Sequence, residues 1–236
     1  MAPTTLPPEE AYRAADVRAG VAAWLFKYLA LLAATTAALF LAAGTTAWRI
    51  GWAVPAVIVV QVIGTVAVLL PRRAAALAAA TRVLGRYTSP LVMAATVALA
   101  LVAGLDRRLR WTPLAVPLAT QFAGIALAAA GVALVAWAIA ANPFYAAPPA
   151  AQVRSGFVAT AGPYRFVRHP HDLGTILVYV GFVCMLGSWW AWLPALAAAA
   201  AVVARTSREE RVLRAGSVAY EVYAARTPWR LAPGLW

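Results

Sequence analysis

Long apolar runs separated by short arginine clusters constrain this chain more than any other feature. Hydrophobic residues make up 64% of its 236 positions and charged residues only 12%, whereas a soluble domain has about half and about a quarter. A helix needs about 20 apolar residues to cross the hydrocarbon core of a bilayer. The sequence therefore predicts a membrane protein, with spans at residues 21–43, 50–70, 89–104 and 117–141.

Two further apolar segments, residues 172–186 and 192–204, are joined by a Gly-Ser-Trp-Trp turn and predict a tight helical hairpin. Together with the four spans they predict an all-α polytopic bundle of about six transmembrane helices. Because the two arms are nearly equal in length, the chain returns to the face that it left. Residues 205–210 are therefore expected beside residues 168–172.

Basic residues indicate how the bundle is oriented. Sixteen of the 20 fall on one predicted side of the membrane, the side that also holds residues 162–174. Cytoplasmic loops are enriched in lysine and arginine, so we expect both termini in the cytoplasm and the chain in a bacterial inner membrane. The net charge is +12, but the basic residues form no continuous stripe along the sequence, so we predict membrane lipids as partners and no nucleic acid. The oligomeric state stays open.

A few residues within the spans have an expected structural role. Lys27 is expected to snorkel towards the interface, and Gln61 to hydrogen-bond to a neighbouring helix. The small residues Gly124, Ala128 and Gly131 predict a close approach between helix backbones.

The chain divides into an N-terminal transmembrane region, residues 1–141, and a C-terminal region, residues 142–236. A polar helix on the membrane surface is predicted to begin near residue 7, where two prolines precede two glutamates. The helical pattern of residues 205–226 is interrupted by Gly216, which predicts a break or a close backbone approach.

Polar chemistry is concentrated in residues 162–174, which contain both histidines of the chain, His169 and His171. Ionisable groups at a membrane interface are typical of functional sites, although interfacial charge pairing is the structural alternative. No metal site is predicted, because the histidines straddle a proline and no third nitrogen or thiolate ligand is near. Cys184 and Ser188 lie far from both histidines, which argues against a nucleophile.

Several spaced motifs follow one another in the C-terminal region. They are Gly-Pro-Tyr-Arg-Phe-Val-Arg-His-Pro at residues 162–170, Leu173-Gly174, Arg205, Glu209-Glu210, Leu213, Gly216, Tyr220, Tyr223 and Pro-Trp-Arg-Leu-Ala-Pro at residues 228–233. This combination resembles the isoprenylcysteine carboxyl methyltransferase family, whose C-terminal signature is shared by phospholipid N-methyltransferases. The resemblance covers residues 142–236.

The resemblance implies an integral membrane enzyme that uses S-adenosylmethionine. Its cofactor contacts would be Gln152, Val158, Tyr164, His169, Pro170, His171, Asp172, Glu209 and Glu210. Arg205 falls where the family contacts a substrate carboxylate, so O-methylation of a lipophilic carboxylate is the first expectation. Phospholipid-type N-methylation and thiol S-methylation are the alternatives within the same chemistry.

One position departs from the family pattern, and its neighbour is variable in the family. The family usually has tyrosine at the position of Asp172 and a variable residue at that of His171. His171 is therefore a candidate general base if the acceptor is a protonated amine, a phenol or a thiol. A membrane reductase that uses NADPH, related to sterol reductases, and a non-enzymatic membrane binding subunit remain as alternative functions.

Overall fold

The computed structural model describes residues 14–69, 90–113, 116–145, 148–234 and 236, and these residues form helices and connecting turns without any strand. The predicted start of a surface helix near residue 7 and the arginine-bearing connection at residues 72–86 lie outside this described part. The helices are α1 Ala14–Ala43, α2 Arg49–Leu69, α3 Pro90–Leu109, α4 Leu118–Ala141, α5 Pro149–Ser155, α6 Pro170–Leu186, α7 Trp192–Gly216 and α8 Val218–Arg226.

Four of these helices, α1 to α4, are long and apolar enough to cross a membrane. They coincide with the four predicted spans within a few residues, which confirms an integral membrane helical protein. α6 is apolar but has only 17 residues, and α7 becomes polar after Ala204. The total of six spans and the side on which the termini lie stay predictions.

α4 and α6 pack with their backbones in contact. A Cβ atom placed on Gly131 would lie 2.6 Å from the carbonyl oxygen of Gly174, and one placed on Gly174 would lie 2.7 Å from that of Gly131. Gly124 and Gly181 repeat the arrangement further along the pair, each with the other's carbonyl oxygen 2.7 Å from its virtual Cβ. The predicted close approach is confirmed, and its partner helix is α6.

α7 is longer than the predicted hairpin arm. It passes Ala204 without a break and ends at Gly216, so the apolar arm and the first half of the polar tail form a single rod. The predicted break at Gly216 is confirmed, and Val153 Cγ1 lies 2.6 Å from a Cβ placed there. Ser217 caps the N-terminus of α8, and its hydroxyl accepts from the Tyr220 amide at 3.2 Å.

The turn of the hairpin is held by a buried aspartate. Asp106, at the end of α3, is 3% exposed and accepts from the amide and the hydroxyl of Thr112, both at 2.6 Å. The hydroxyl of Ser188 donates to the same carboxylate. α3 and the tip of the α6–α7 hairpin are thereby joined at the end of the bundle opposite the polar motif.

Candidate functional site

The hairpin brings the polar motif against the middle of α7, as its geometry predicted. Arg168 Nη2 lies 3.0 Å from Glu210 Oε1, and His169 Nε2 lies 2.8 Å from Glu210 Oε2. The Asp172 carboxylate accepts hydrogen bonds from Arg205 and Thr206 of α7. The expected proximity of residues 168–172 to residues 205–210 is therefore confirmed.

Glu210 joins the motif to the C-terminal helices. Its side chain is 1% exposed and also accepts from Arg214 Nε and from the Tyr220 hydroxyl, each at 2.9 Å. Burial alone would raise the pKa of this carboxyl, but the hydrogen bonds from His169 and Arg214 outweigh burial and hold the pKa well below its usual range. Glu210 is thus an ionised anchor whose oxygen atoms are already occupied.

The C-terminal tail is fastened to the same motif through its backbone. The amides of Arg168 and His169 donate to the carbonyl oxygens of Trp229 and Arg230, both at 2.9 Å. The Arg168 guanidinium, 5% exposed, donates to the carbonyl oxygen of Thr227 at 2.7 Å. The Pro-Trp-Arg segment at residues 228–230 therefore stabilises the backbone of the motif through these hydrogen bonds.

Asp172 and Arg205 form an ion pair at the floor of the site. The Asp172 carboxylate is 4% exposed; it accepts from Arg205 Nη2 and from the Thr206 hydroxyl at 2.5 Å. Glu209, one turn further along α7, has Oε1 3.9 Å from Arg205 Nε. Arg205 is therefore balanced by a carboxylate at the position where the family usually has tyrosine.

His171 is hydrogen-bonded through both ring nitrogens. Its Nδ1 lies 3.1 Å from Asp172 Oδ1, and its Nε2 lies 3.0 Å from the Tyr145 hydroxyl. A carboxylate only accepts, so in the neutral imidazole Nδ1 donates to Asp172 and Nε2 accepts from Tyr145. The tyrosine, the imidazole and the carboxylate form one hydrogen-bonded chain.

These groups open into a cavity of about 250 Å³. Seven of the nine predicted cofactor contacts line it: Gln152, Val158, Tyr164, His169, His171, Asp172 and Glu209. Pro170 and Glu210 do not line it, the former being the first residue of α6 and the latter the buried anchor. The wall nearest these residues also carries Asn142, Phe144, Leu213, Tyr220 and Tyr223.

The cavity continues between the N-terminal helices. α1 contributes Lys27 and Leu31, and α2 contributes Ile58 and Gln61. Trp24 of α1 and Val92, Met93 and Thr96 of α3 also line this end, where most of the side chains are apolar. Lys27 and Gln61, predicted to snorkel and to bond a neighbouring helix, both line the cavity.

The sequence offered little signal for these residues. An apolar side chain of a span looks alike in sequence whether it faces lipid, another helix or a cavity. Tyr145 was also missed, because it follows the Asn142-Pro143 helix stop in a segment without a recognisable motif. Lys27, Gln61 and Thr96 were polar residues within apolar runs, but nothing in the sequence placed them at one cavity.

The cavity also brings three candidate metal ligands together. One ligand atom from each of His169, Asp172 and Glu209 lies within 4.8 Å of the others, a cluster missed in sequence because Glu209 comes from a different helix. The carboxylate of Asp172 already binds the cation Arg205, and His169 contacts Glu210. We therefore assign no metal to this cluster.

Glu209 has an unusual electrostatic position. Burial, followed by the neighbouring Asp172 carboxylate, raises the pKa of its carboxyl, whereas Arg205 and His169 act in the opposite direction. Such a carboxyl gains most when a cation is placed against it, because the cation offsets the desolvation of its charged form. Glu209 therefore offers the cavity a binding position for a positively charged group.

Residues 119–216 match a family model described as phospholipid methyltransferase. The match runs from α4 through the polar motif to the end of α7, and leaves out α1, α2, α3 and α8. No curated protein and no solved structure matches the chain.

Proposed function

Because residues 119–216 belong to the superfamily that unites isoprenylcysteine carboxyl methyltransferases with phospholipid methyltransferases, we propose that this chain transfers a methyl group from S-adenosylmethionine to a small lipophilic acceptor. The observation that carries the proposal is the cavity, which joins a charged end to an apolar end among membrane helices. A polar cofactor and an apolar acceptor can meet in such a space.

The charged end has the groups that the cofactor needs. S-adenosylmethionine, when bound, supplies an electrophilic methyl group on a positively charged sulfur. Glu209 would accept from its ammonium group, and the rings of Tyr164 and Phe144 would contact its adenine. Gln152, Val158, His169, His171 and Asp172 would complete the contacts. We propose that Pro170 and Glu210, which do not line the cavity, support the residues that do.

The apolar end would hold the tail of the acceptor. Leu31, Ile58 and Val92 line it, and none of them belongs to the stretch that matches the family model. Burying an apolar tail there would contribute about 25 cal/mol for each Å² removed from water. The N-terminal region, residues 1–141, would therefore select the acceptor, and the C-terminal region, residues 142–236, would hold the cofactor.

The acceptor's reacting group is a separate question. O-methylation of a carboxylate relies on Arg205 as a bidentate partner for that carboxylate. The charge of the Arg205 guanidinium is already balanced by Asp172, which accepts from its Nη2, so Arg205 would attract a second carboxylate less strongly. This weaker attraction favours the thiol and other protonated acceptors among the alternatives, with Arg205 and His171 as the residues that act on them.

The orientation of the site follows from the basic residues. Since sixteen of the 20 are predicted to lie on the side that holds the motif, the charged end of the cavity would face the cytoplasm of a bacterial inner membrane. The cofactor would then be taken from the cytoplasm and the acceptor from the bilayer.

Binding of labelled S-adenosylmethionine to the purified protein tests the proposal. Saturable binding that is lost in Glu209→Ala and kept in Gly64→Ala, a change on an open face of α2, is the expected result. No saturable binding in several detergents and lipids would overturn it. Protection against thermal unfolding by NADPH, with none by S-adenosylmethionine, would indicate a reductase, and protection by neither would indicate a binding subunit.

A further inference from the structure

The chain of Tyr145, His171 and Asp172 contains two proposed cofactor contacts, His171 and Asp172, and one residue, Tyr145, to which no cofactor contact is assigned. It ends at a hydroxyl that lines the cavity together with Arg205 and Glu209. A carboxylate acceptor carries no proton at neutral pH and needs no base. A hydrogen-bonded chain from the cavity to a buried carboxylate therefore indicates an acceptor that must lose a proton.

We propose that Tyr145 and His171 form a relay that deprotonates a neutral phenol or thiol held in the apolar end of the cavity. This inference rests on the proposed methyltransferase function and names its acceptor class. Tyr145 is the residue that touches the acceptor, and His171 takes up the proton through Tyr145.

The step conserves protons and charge. The acceptor's O–H or S–H proton passes to the Tyr145 oxygen as the proton of the Tyr145 hydroxyl passes to His171 Nε2. The products are an acceptor anion and an imidazolium, formed from two neutral groups. Asp172 Oδ1, 3.1 Å from His171 Nδ1, lies where it stabilises the imidazolium, and the anion formed is the better nucleophile towards a methyl group.

Burial supports a relay role for Tyr145 over a permanent tyrosinate. Burial raises the pKa of its hydroxyl well above the ordinary value, with Tyr28 adding to the effect. The hydroxyl therefore stays protonated at rest and can donate to His171. It passes a proton on only when it receives one from the acceptor at the same time.

The charges around the cavity disfavour an amine acceptor. Lys27, Arg168 and Arg205 line the cavity; Arg168 is paired with Glu210 and Arg205 with Asp172. Glu209, whose pKa is raised by burial, is the carboxylate that the ammonium group of the cofactor would occupy. An ammonium acceptor would add a further positive charge beside that of the cofactor. A phenol, with a pKa of about 10, or a thiol, at about 8.5, is neutral on binding and within reach of a base.

A dodecyl-substituted nitrophenol is the probe, because its phenolate absorbs visible light and reports proton transfer without turnover. The pKa of the bound nitrophenol is expected to be about one unit lower in the native protein than in Tyr145→Phe or His171→Gln, which is a tenfold difference in the ratio of phenolate to phenol. Tyr179→Phe removes another hydroxyl from the cavity wall and is expected to keep the shift. Equal phenolate fractions in all four proteins would overturn the proposal.

Saturation of the absorbance change shows that each variant still forms the cavity.

The groups that face the relay and contribute to any pH dependence come from every surrounding element: Tyr28, Lys27, Tyr164, His169, Asp172, Arg205 and Glu209.

Turnover with labelled S-adenosylmethionine then tests the acceptor class, with four acceptors that each carry a dodecyl chain: a phenol, a thiol, a carboxylic acid and an amine. Label is expected in the phenol or the thiol, with kcat lowered and cofactor affinity kept in Tyr145→Phe. Preferred labelling of the carboxylic acid or the amine would overturn the acceptor class. Binding of S-adenosylmethionine without labelling of any acceptor would overturn this inference alone, whereas absent cofactor binding would overturn the proposed function and leave the nitrophenol result to judge the relay.

Discussion

Asp172 on α6 and Arg205 on α7 are bound to each other, carboxylate to guanidinium, at the polar end of a cavity that reaches into the membrane helices. The pair joins the two arms of the hairpin and sets the charge of the site. A tyrosine at residue 172 would leave Arg205 without this carboxylate.

Asp172→Asn is expected to convert Arg205 into an anion-binding group. The variant keeps the shape of the side chain but removes its charge, so affinity for dodecanoic acid should rise. Stability should fall by about 3 to 5 kcal/mol, because a buried charge loses its partner. Fatty-acid titration and thermal unfolding in one detergent measure both effects. Unchanged values for both would mean that the two residues do not interact in the membrane.

Glu209→Gln and Arg205→Lys are expected to fail in different ways. Glu209→Gln removes the charge that faces the cofactor, so S-adenosylmethionine binding should weaken by about 1.5 to 3 kcal/mol. Arg205→Lys keeps the charge but loses the planar fork, so cofactor binding should survive while turnover falls. Titration calorimetry on both variants decides between them. Equal weakening would mean that the two residues only support each other, and the role of Arg205 towards the acceptor would be withdrawn.

Glu210→Gln is expected to destabilise the fold in a pH-dependent manner. The pKa of Glu210 is depressed in the folded state, so its ionised form stabilises the fold above the unfolded pKa of about 4.3, and this stabilisation is lost as the pH falls below that value. The difference in Tm between native protein and variant should be large at pH 7 and shrink towards pH 3. A constant difference would contradict the ionised anchor.

Gly131→Ala is expected to force α4 and α6 apart. The new methyl group would meet the Gly174 backbone, and overpacking of this kind costs about 1 to 3 kcal/mol. Gly64→Ala is the matched control, because a Cβ placed on Gly64 has nothing within 4 Å and alanine favours a helix. Thermal unfolding of both should show a lower Tm for the first alone.

The sequence allowed much of the fold to be predicted, because hydrophobic length is a one-dimensional property. The four long spans and the break at Gly216 could be read from it. The convergence of residues 168–172 with residues 205–210 also followed, from arm lengths alone. The continuity of α7 could not be predicted, since a change from apolar to polar residues resembles a boundary even when the backbone hydrogen bonds continue.

The site was predictable only where it carried motifs. Glu209 and His171 line the cavity as expected. The different positions of Glu209 and Glu210 were not predicted, although neighbouring residues on a helix point about 100° apart. One glutamate faces the cavity and the other is buried against Arg168 and His169. The hairpin predicted that Asp172 and Arg205 would lie near each other, but not that they would form an ion pair, because Arg205 was expected to contact the acceptor.

The cavity wall is built from two parts of the chain. One part, from α6 and α7, lies in the stretch that matches the family model, and the other, from α1 to α3, lies outside it. Under the proposed function, the first part would hold the methyl donor and the second would hold the acceptor. Replacing α1 to α3 by the corresponding helices of another methyltransferase of this type would then change the choice of acceptor and leave cofactor binding unchanged.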